Sequence, residues 1–433
     1  MKTFGLDFYL ASGLVAACFI LGGSASRPDF EMGLSILAIF CLVASIWVGE
    51  GRGLRDFSVG WVIGPIIVLY ILQLLPLPSG FSSALGQLSG SYPQASFSWR
   101  PVTLSPDATL YSLLSLAPAL VLMWLTAALN RDERALLINT VLVLAAFVAF
   151  VGIAQAVGVI PFNLYEFYHP RVAVGLFASR NHFGDLFLLV TPLLFANKAR
   201  WIERYGLYRA QILLQSLLLL YLAAVVASAS RASIVLFLII TLGSYGTALR
   251  SDVRWRVLAI GVLASLGGWL LLAWLPATGV VKVAADRFQV ADEARWDIWQ
   301  NSLRAANAVW PAGAGLGNFR IAYEAVEPVS AITPSYINAA HNEYLQFFVE
   351  GGLFGIVTAL FIVLFLLAAT IKRRREGLAT FALFGLIGTL AHSTVDYPFR
   401  VIGLNALIGF LCALCVTVPR RSAKRQRRRE AIH

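Results

Sequence analysis

The stretch EYLQFFVEGGLFGIVTALFIVLFLLAATIKRRR, residues 343–375, decides the fold class. Between Phe347 and Ile371 its only charged side chain is Glu350, and it then closes on Lys372, Arg373, Arg374 and Arg375. An apolar helix of roughly 20 residues crosses the hydrocarbon core of a bilayer, where each backbone amide and carbonyl must be satisfied within its own segment. A basic cluster directly after such a span marks its cytoplasmic end. The same pattern of apolar block and short polar run repeats toward both termini. Spans are predicted near 6 to 22, 32 to 49, 57 to 75, 108 to 129, 135 to 158, 174 to 196, 210 to 228, 232 to 249, 257 to 275, 347 to 371, 377 to 391 and 401 to 418. The class is therefore an all-α polytopic membrane protein with about 12 transmembrane helices.

Composition agrees. Of 433 residues, 58% are hydrophobic and 13% charged, against roughly 25% charged in an ordinary soluble domain. The mean hydropathy of +0.74 excludes a water-soluble fold. The net charge of +11 raises nucleic acid as a partner, but its distribution argues against it. Lysine and arginine cluster at Lys198 to Arg209, Arg250 to Arg256, Lys372 to Arg375 and in the tail Arg420 to Arg429. All of these fall on one side when both termini are cytoplasmic, as the positive-inside rule requires. The four cysteines, Cys18, Cys41, Cys412 and Cys415, lie inside apolar blocks and read as packing residues rather than disulfide partners or zinc ligands. The first block, Leu6 to Gly22, lacks a clear cleavage pattern and reads as a retained helix rather than a signal peptide.

The chain thus divides into residues 1–275 with nine spans, a large outward loop at 276–346, three spans at 347–418 and a basic cytoplasmic tail at 419–433. Long loops in compact proteins are usually functional. This one mixes Trp, Arg, Asp, Glu, Gly and a histidine. A second outward segment, Pro76 to Asp107, carries one basic residue, Arg100.

In the long loop, Asn338 is the predicted N-cap of the helix entering the membrane, with His341 in its first turn. There the helix dipole disfavours the imidazolium and leaves a neutral ring able to accept a proton, as a general base must. A histidine that merely bonds the loop is the equal alternative. Arg231 follows the small-residue turn Ala227 to Ser230, so either an anion meets its guanidinium or the side chain snorkels to the interface. Arg295 stands one turn from Asp292 and Trp299, where a salt bridge and a cation–π contact explain it without function. Arg180, Asn181 and His182 interrupt the span predicted at 174 to 196, which reads as a broken helix near the outer mouth. Arg287 is a weaker member of this outward arginine set, and guanidinium groups grip phosphate oxygens bidentately. The glycine-rich Pro311 to Phe319 follows no predicted strand and reads as a turn, not a nucleotide loop. No metal ligand set is evident on the outward side, so arginines are left to neutralise a diphosphate. In the last outward turn, Asp396 and Arg400 are expected to pair with each other across Pro398.

These residues resemble a family. Arg295 with Trp299, Pro311 before Gly313, Gly315 and Gly317 with Phe319, Ala340-His341-Asn342 with Tyr344-Leu345-Gln346, and Glu350 before Gly352 are together similar to the O-antigen ligase and polymerase superfamily. Phe177, Asn181 and Phe183, with Ser230-Arg231, extend the resemblance, although Val235 stands where the family often has leucine. The resemblance implies a metal-independent, cofactor-free glycosyltransferase of the bacterial inner membrane, with its active site facing the periplasm. The implied donor is a glycan on undecaprenyl diphosphate, and the acceptor is either the lipid A core oligosaccharide of lipopolysaccharide or a growing glycan. It assigns His341 as base and Arg231, Arg295 and, less directly, Arg180 to the diphosphate, with Arg287, Asn181, Asn342 and Tyr344 in support. A secondary transporter, with the broken helix as its substrate site, is the alternative of another class.

Overall fold

The computed structural model describes residues 4–25, 27–48, 57–78, 99–165, 172–248, 293–331, 336–374 and 377–419. The described residues are mainly helical: α1 (Leu6–Leu21), α2 (Pro28–Val48), α3 (Phe57–Leu74), α4 (Pro106–Ser115), α5 (Ala117–Ala128), α6 (Arg131–Ala156), α7 (Arg180–Tyr205), α8 (Leu207–Ala227), α9 (Arg231–Ala248), α10 (Glu293–Val309), α11 (Phe319–Glu324), α12 (Glu343–Lys372), α13 (Leu378–His392) and α14 (Ile402–Val416). Two short strands, β1 (Leu77–Pro78) and β2 (Trp99–Arg100), pair antiparallel. Seven helical stretches among the described residues are long and apolar enough to cross a membrane, the α4–α5 pair counting as one, and α1, α13 and α14 are shorter apolar helices. The span predicted at 257 to 275 and Arg287 lie outside the described residues.

Most predicted spans match a helix, with ends displaced by physical causes. The span predicted at 108 to 129 divides at Leu116, the cap shared by α4 and α5, just before Pro118. Proline lacks the amide that would continue the ladder. The span predicted at 174 to 196 is instead the helix 180–205, so Arg180, Asn181 and His182 form its first turn rather than a break within it. Ser179 caps it by accepting the Asn181 N–H at 3.2 Å. The buried segment before it, from Val172 to Phe177, is non-helical because Gln155 clamps it. The Gln155 amide donates to the carbonyls of Phe162 and Gly175 and accepts from the Val174 and Gly175 N–H groups.

The helices that carry the site are held by three devices. α14 is buried along its whole length and packs against α5, α13 and α7. α7 and α9 approach closely at Gly184, where a Cβ would meet the Ser233 hydroxyl at 2.2 Å. Small residues permit such approach in a membrane, where packing rather than hydrophobic transfer drives association. α12 breaks at Gly352, with φ 54 and ψ −149. The glycine-rich turn fills that break: the Leu353 N–H donates to the Pro311 carbonyl at 2.8 Å and the Ala314 N–H to the Val349 carbonyl at 2.9 Å. A Cβ at Gly352 would stand 2.3 Å from the Pro311 carbonyl oxygen, so only glycine fits. The turn expected at Pro311 to Phe319 is thus the wedge that packs into the break of α12.

Candidate active site

His341 does not lie in a first helical turn. Asn342, not Asn338, is the N-cap of α12, its side chain accepting the Leu345 N–H at 3.1 Å. His341 precedes the cap with φ 50, a left-handed backbone unusual for a non-glycine residue. Its neighbours are pinned on three sides. The Trp299 indole donates to the Ala340 carbonyl at 3.0 Å, the Ala340 N–H donates to the Gln346 side chain at 3.0 Å, and the Glu343 N–H donates to the Ser393 carbonyl at 2.9 Å. The predicted support residue Tyr344 donates its hydroxyl to the Leu390 carbonyl at 2.6 Å, tying α12 to α13.

The half-buried His341 ring packs edge-on against Tyr397, centroids 5.1 Å apart. Burial lowers its proton affinity below the ordinary 6.5; Asp396 opposes this, while Arg295 and His182 reinforce it. The neutral ring expected from the helix dipole is therefore favoured, but chiefly by desolvation. Arg295 on α10 is close enough to act electrostatically on both His341 and His392. Arg180 opens α7 and Arg231 opens α9, and the contact at Gly184 and Ser233 sets these two helix starts side by side. Arg231 follows a tight turn in which Ala229 has φ 52 and the Ser228 hydroxyl accepts the Ser230 N–H at 3.2 Å. Asn181 is half-buried beside Arg180.

Behind His341 lies a buried cluster that the sequence reading missed. Asp185 and His392 pair at 2.8 Å through Nδ1 of the imidazole. His182 Nε2 stands 3.5 Å from Asp396 Oδ1, and the His182 ring meets the opposite neighbour of His341, Tyr397, at 5.0 Å. Asp396 Oδ1 also accepts the Tyr397 N–H at 2.9 Å. Burial raises the proton affinity of Asp396, but His182, His392 and His341 outweigh it and hold the carboxyl well below the usual carboxylate range. Burial pushes the Tyr397 hydroxyl up to about 12, so it stays protonated. One donor atom from each of Asp185, His392 and Asp396 lies within 4.8 Å of the others, the set among the described residues that could hold a metal ion. A signal for the cluster was available. Of the five histidines, His182 falls inside a predicted span and His392 directly at the end of another, where ionisable groups are expensive and usually functional.

The expected Asp396–Arg400 pair is not formed. Arg400 turns the other way, donating to Glu343 Oε1 at 3.0 Å and to both oxygens of Glu350 at 3.0 and 2.7 Å. Glu350 also accepts the Phe319 N–H at 3.1 Å. The two carboxylates outweigh the burial of Arg400 and hold its guanidinium charged. Asp396 is committed to the histidines instead.

Residues 216–360 match the family model described as O-antigen ligase. No curated protein matches the chain. The matched segment contains Arg231, α10, the glycine-rich wedge, His341 and the broken head of α12, and over it the chain's likeness to the O-antigen ligase superfamily, first read from the loop motifs, holds.

Proposed function

We propose that the protein transfers a glycan from undecaprenyl diphosphate to a sugar hydroxyl at the periplasmic face of the bacterial inner membrane. The reading takes the chain as about twelve spans with both termini cytoplasmic. Residues 276–346 form the periplasmic loop between the nine spans of 1–275 and the three of 347–418, and 419–433 is the basic tail. The observation that carries it is the half-buried His341, held with a left-handed backbone just before the cap of α12 and close enough to Arg295 to feel its charge.

The chemistry follows from these groups. Neutral His341 takes the proton of the acceptor hydroxyl, and the oxygen forms its new bond to the anomeric carbon from the face opposite the diphosphate. The bond from that carbon to the diphosphate oxygen breaks, and its electron pair leaves with undecaprenyl diphosphate, inverting the centre. Negative charge grows on the leaving diphosphate, where preorganised donors supply the largest catalytic term. Arg295, Arg231 and Arg180 are the donors in this reading, with Asn181, Asn342, Tyr344 and Arg287 in support. Neither metal nor cofactor takes part.

The test is purified protein with an undecaprenyl-diphosphate-linked donor and two acceptors, lipid A core and a preformed glycan chain. Product on the core identifies a ligase and product on the chain a polymerase. Failure with both, alongside counterflow of a glycan in proteoliposomes, would replace transfer with transport.

A further inference from the structure

All four members of the buried cluster lie outside the matched segment: His182 and Asp185 on α7, His392 at the end of α13 and Asp396 in the turn that follows. The buried groups number two imidazoles and two carboxylates, each at most 3% exposed at its side chain. Burying a carboxylate is tolerable only with a partner, and here each carboxylate has an imidazole. The pairing is not uniform. His392 and Asp185 form a close hydrogen bond facing inward, whereas His182 stands off from Asp396 at 3.5 Å and lays its ring edge-on to Tyr397. Tyr397 is therefore held between two histidines, His182 on the buried side and His341 on the outer side, at nearly equal centroid distances of 5.0 and 5.1 Å. Asp396 accepts the Tyr397 N–H, so the element that positions the ring also carries a charge that acts on His341.

Resting on the transferase reading above, we propose that His182 is a positioning residue for His341: with Asp396 it fixes Tyr397 from behind, and so sets the orientation and charge state of the histidine at the rim. The charged and titratable groups facing this cluster are Arg295 from α10, Glu343 at the head of α12, His182 and Asp185 from α7, His392 from α13, and Asp396 and Tyr397 from the turn; Arg400 engages Glu343 and Glu350. Of these, His182 disfavours the His341 imidazolium and Asp396 favours it. Removing the His182 imidazole takes away the inner wall of the Tyr397 ring and one of the groups that disfavour the His341 imidazolium, so His341 holds its proton to higher pH. A packing role alone would lower the rate equally at all pH values.

The experiment measures initial transfer rates from pH 5 to 9 for the full-length protein, H341A, H182Q, H182N and D396N, with thermal melting and metal content of each preparation. The acid limb of H182Q and H182N is expected about one unit above that of the unsubstituted protein, roughly a tenfold loss on the limb that shrinks toward pH 9. D396N is expected to move the limb the other way. An H341A rate equal to that of the unsubstituted protein would defeat the transferase reading itself, before His182 is considered. If the unsubstituted protein depends on His341 and the His182 variants lose the same factor at every pH, the positioning role alone is overturned. Failure of all three cluster variants to fold, or a stoichiometric metal ion that H182Q or D396N loses, overturns it as well.

Discussion

Replacing Arg400 with methionine isolates the ion network that fixes the head of α12. Arg400 donates three charge-assisted hydrogen bonds to two carboxylates from opposite ends of the first two turns of that helix, at 3.0, 3.0 and 2.7 Å. Glu350 is 1% and Glu343 11% exposed at the side chain, so methionine would strand two negative charges out of water. Removing one partner of a buried pair costs about 3–5 kcal/mol, most of it the penalty on the charge left behind. The Arg400 side chain is 22% exposed, which admits water toward Glu343 and favours the lower end, about 3 kcal/mol. R400K keeps the charge but cannot reproduce the planar fork on Glu350, and should lose about 1–2 kcal/mol. The triple variant R400M/E343Q/E350Q removes the stranded charge and should recover part of the loss. The assay is unfolding of the purified protein in detergent, followed by tryptophan fluorescence at pH 7 and again near pH 4.5. Acid protonates the stranded carboxylates, so the gap between R400M and the unsubstituted protein should narrow there. An R400M protein within about 0.5 kcal/mol of the unsubstituted one, or a triple variant no better than R400M, would refute the argument.

Further tests address chemistry and framework. Because burial lowers the proton affinity of His341 below 6.5, its ring is neutral at pH 7, and transfer should hold steady down to 6.5 and fall as the pH drops through the lowered value. Linkage gives the matching sign for stability. The unfolded chain binds this proton more readily, so the folded state is penalised increasingly below pH 6.5 and not above it, a difference that H341A should erase in pH-dependent melting. R295A should reduce transfer on the order of 100-fold while leaving folded protein in the membrane, and unchanged product would remove Arg295 from the mechanism. G352A should destabilise by more than about 2 kcal/mol, since a left-handed φ and a 2.3 Å clash with the Pro311 carbonyl oxygen coincide; G243A, whose Cβ meets nothing closer than 3.9 Å, should not. Equal melting temperatures for these two glycine variants would defeat the wedge argument.

The spans were legible because lipid imposes one simple requirement, an apolar block of sufficient length, and that is a local property. Their ends were not, since ends are set by partners elsewhere in the chain. The start of α7 is fixed by Ser179 at its own cap but also by Gln155 on α6, which holds Gly175 out of helical geometry across 20 residues of sequence. The loop motif containing His341 could be found by residue type and order, yet its cap was misplaced. Asn338 and Asn342 are equally good capping residues in a sequence, and only the bonds from Trp299 and Gln346 to Ala340 decide between them. The Asp396–Arg400 pairing failed for a similar reason. Proximity in sequence favoured it, while the carboxylate of Glu350, 50 residues away, offered Arg400 both oxygens. The buried histidine and aspartate pairs join residues 207 positions apart in one case, which no local pattern can show.

The backbone itself separates scaffold from site. Among the described residues, two non-glycine positions have positive φ, Ala229 at 52 and His341 at 50. Each such conformation costs about 1–2 kcal/mol and persists only where surrounding bonds over-determine it. Those bonds are present in both places: the Ser228 hydroxyl, donating to the Val225 carbonyl and accepting the Ser230 N–H, beside Ala229, and Trp299, Gln346 and Asn342 around His341. One strained residue sits two positions before Arg231 and the other is His341 itself. Strain distributed at random along the chain would fall mostly in loops without chemistry. In the transferase reading, this placement means that the fold expends stability to aim Arg231 and His341 before any substrate arrives, which is the preorganisation that transition-state electrostatics demands.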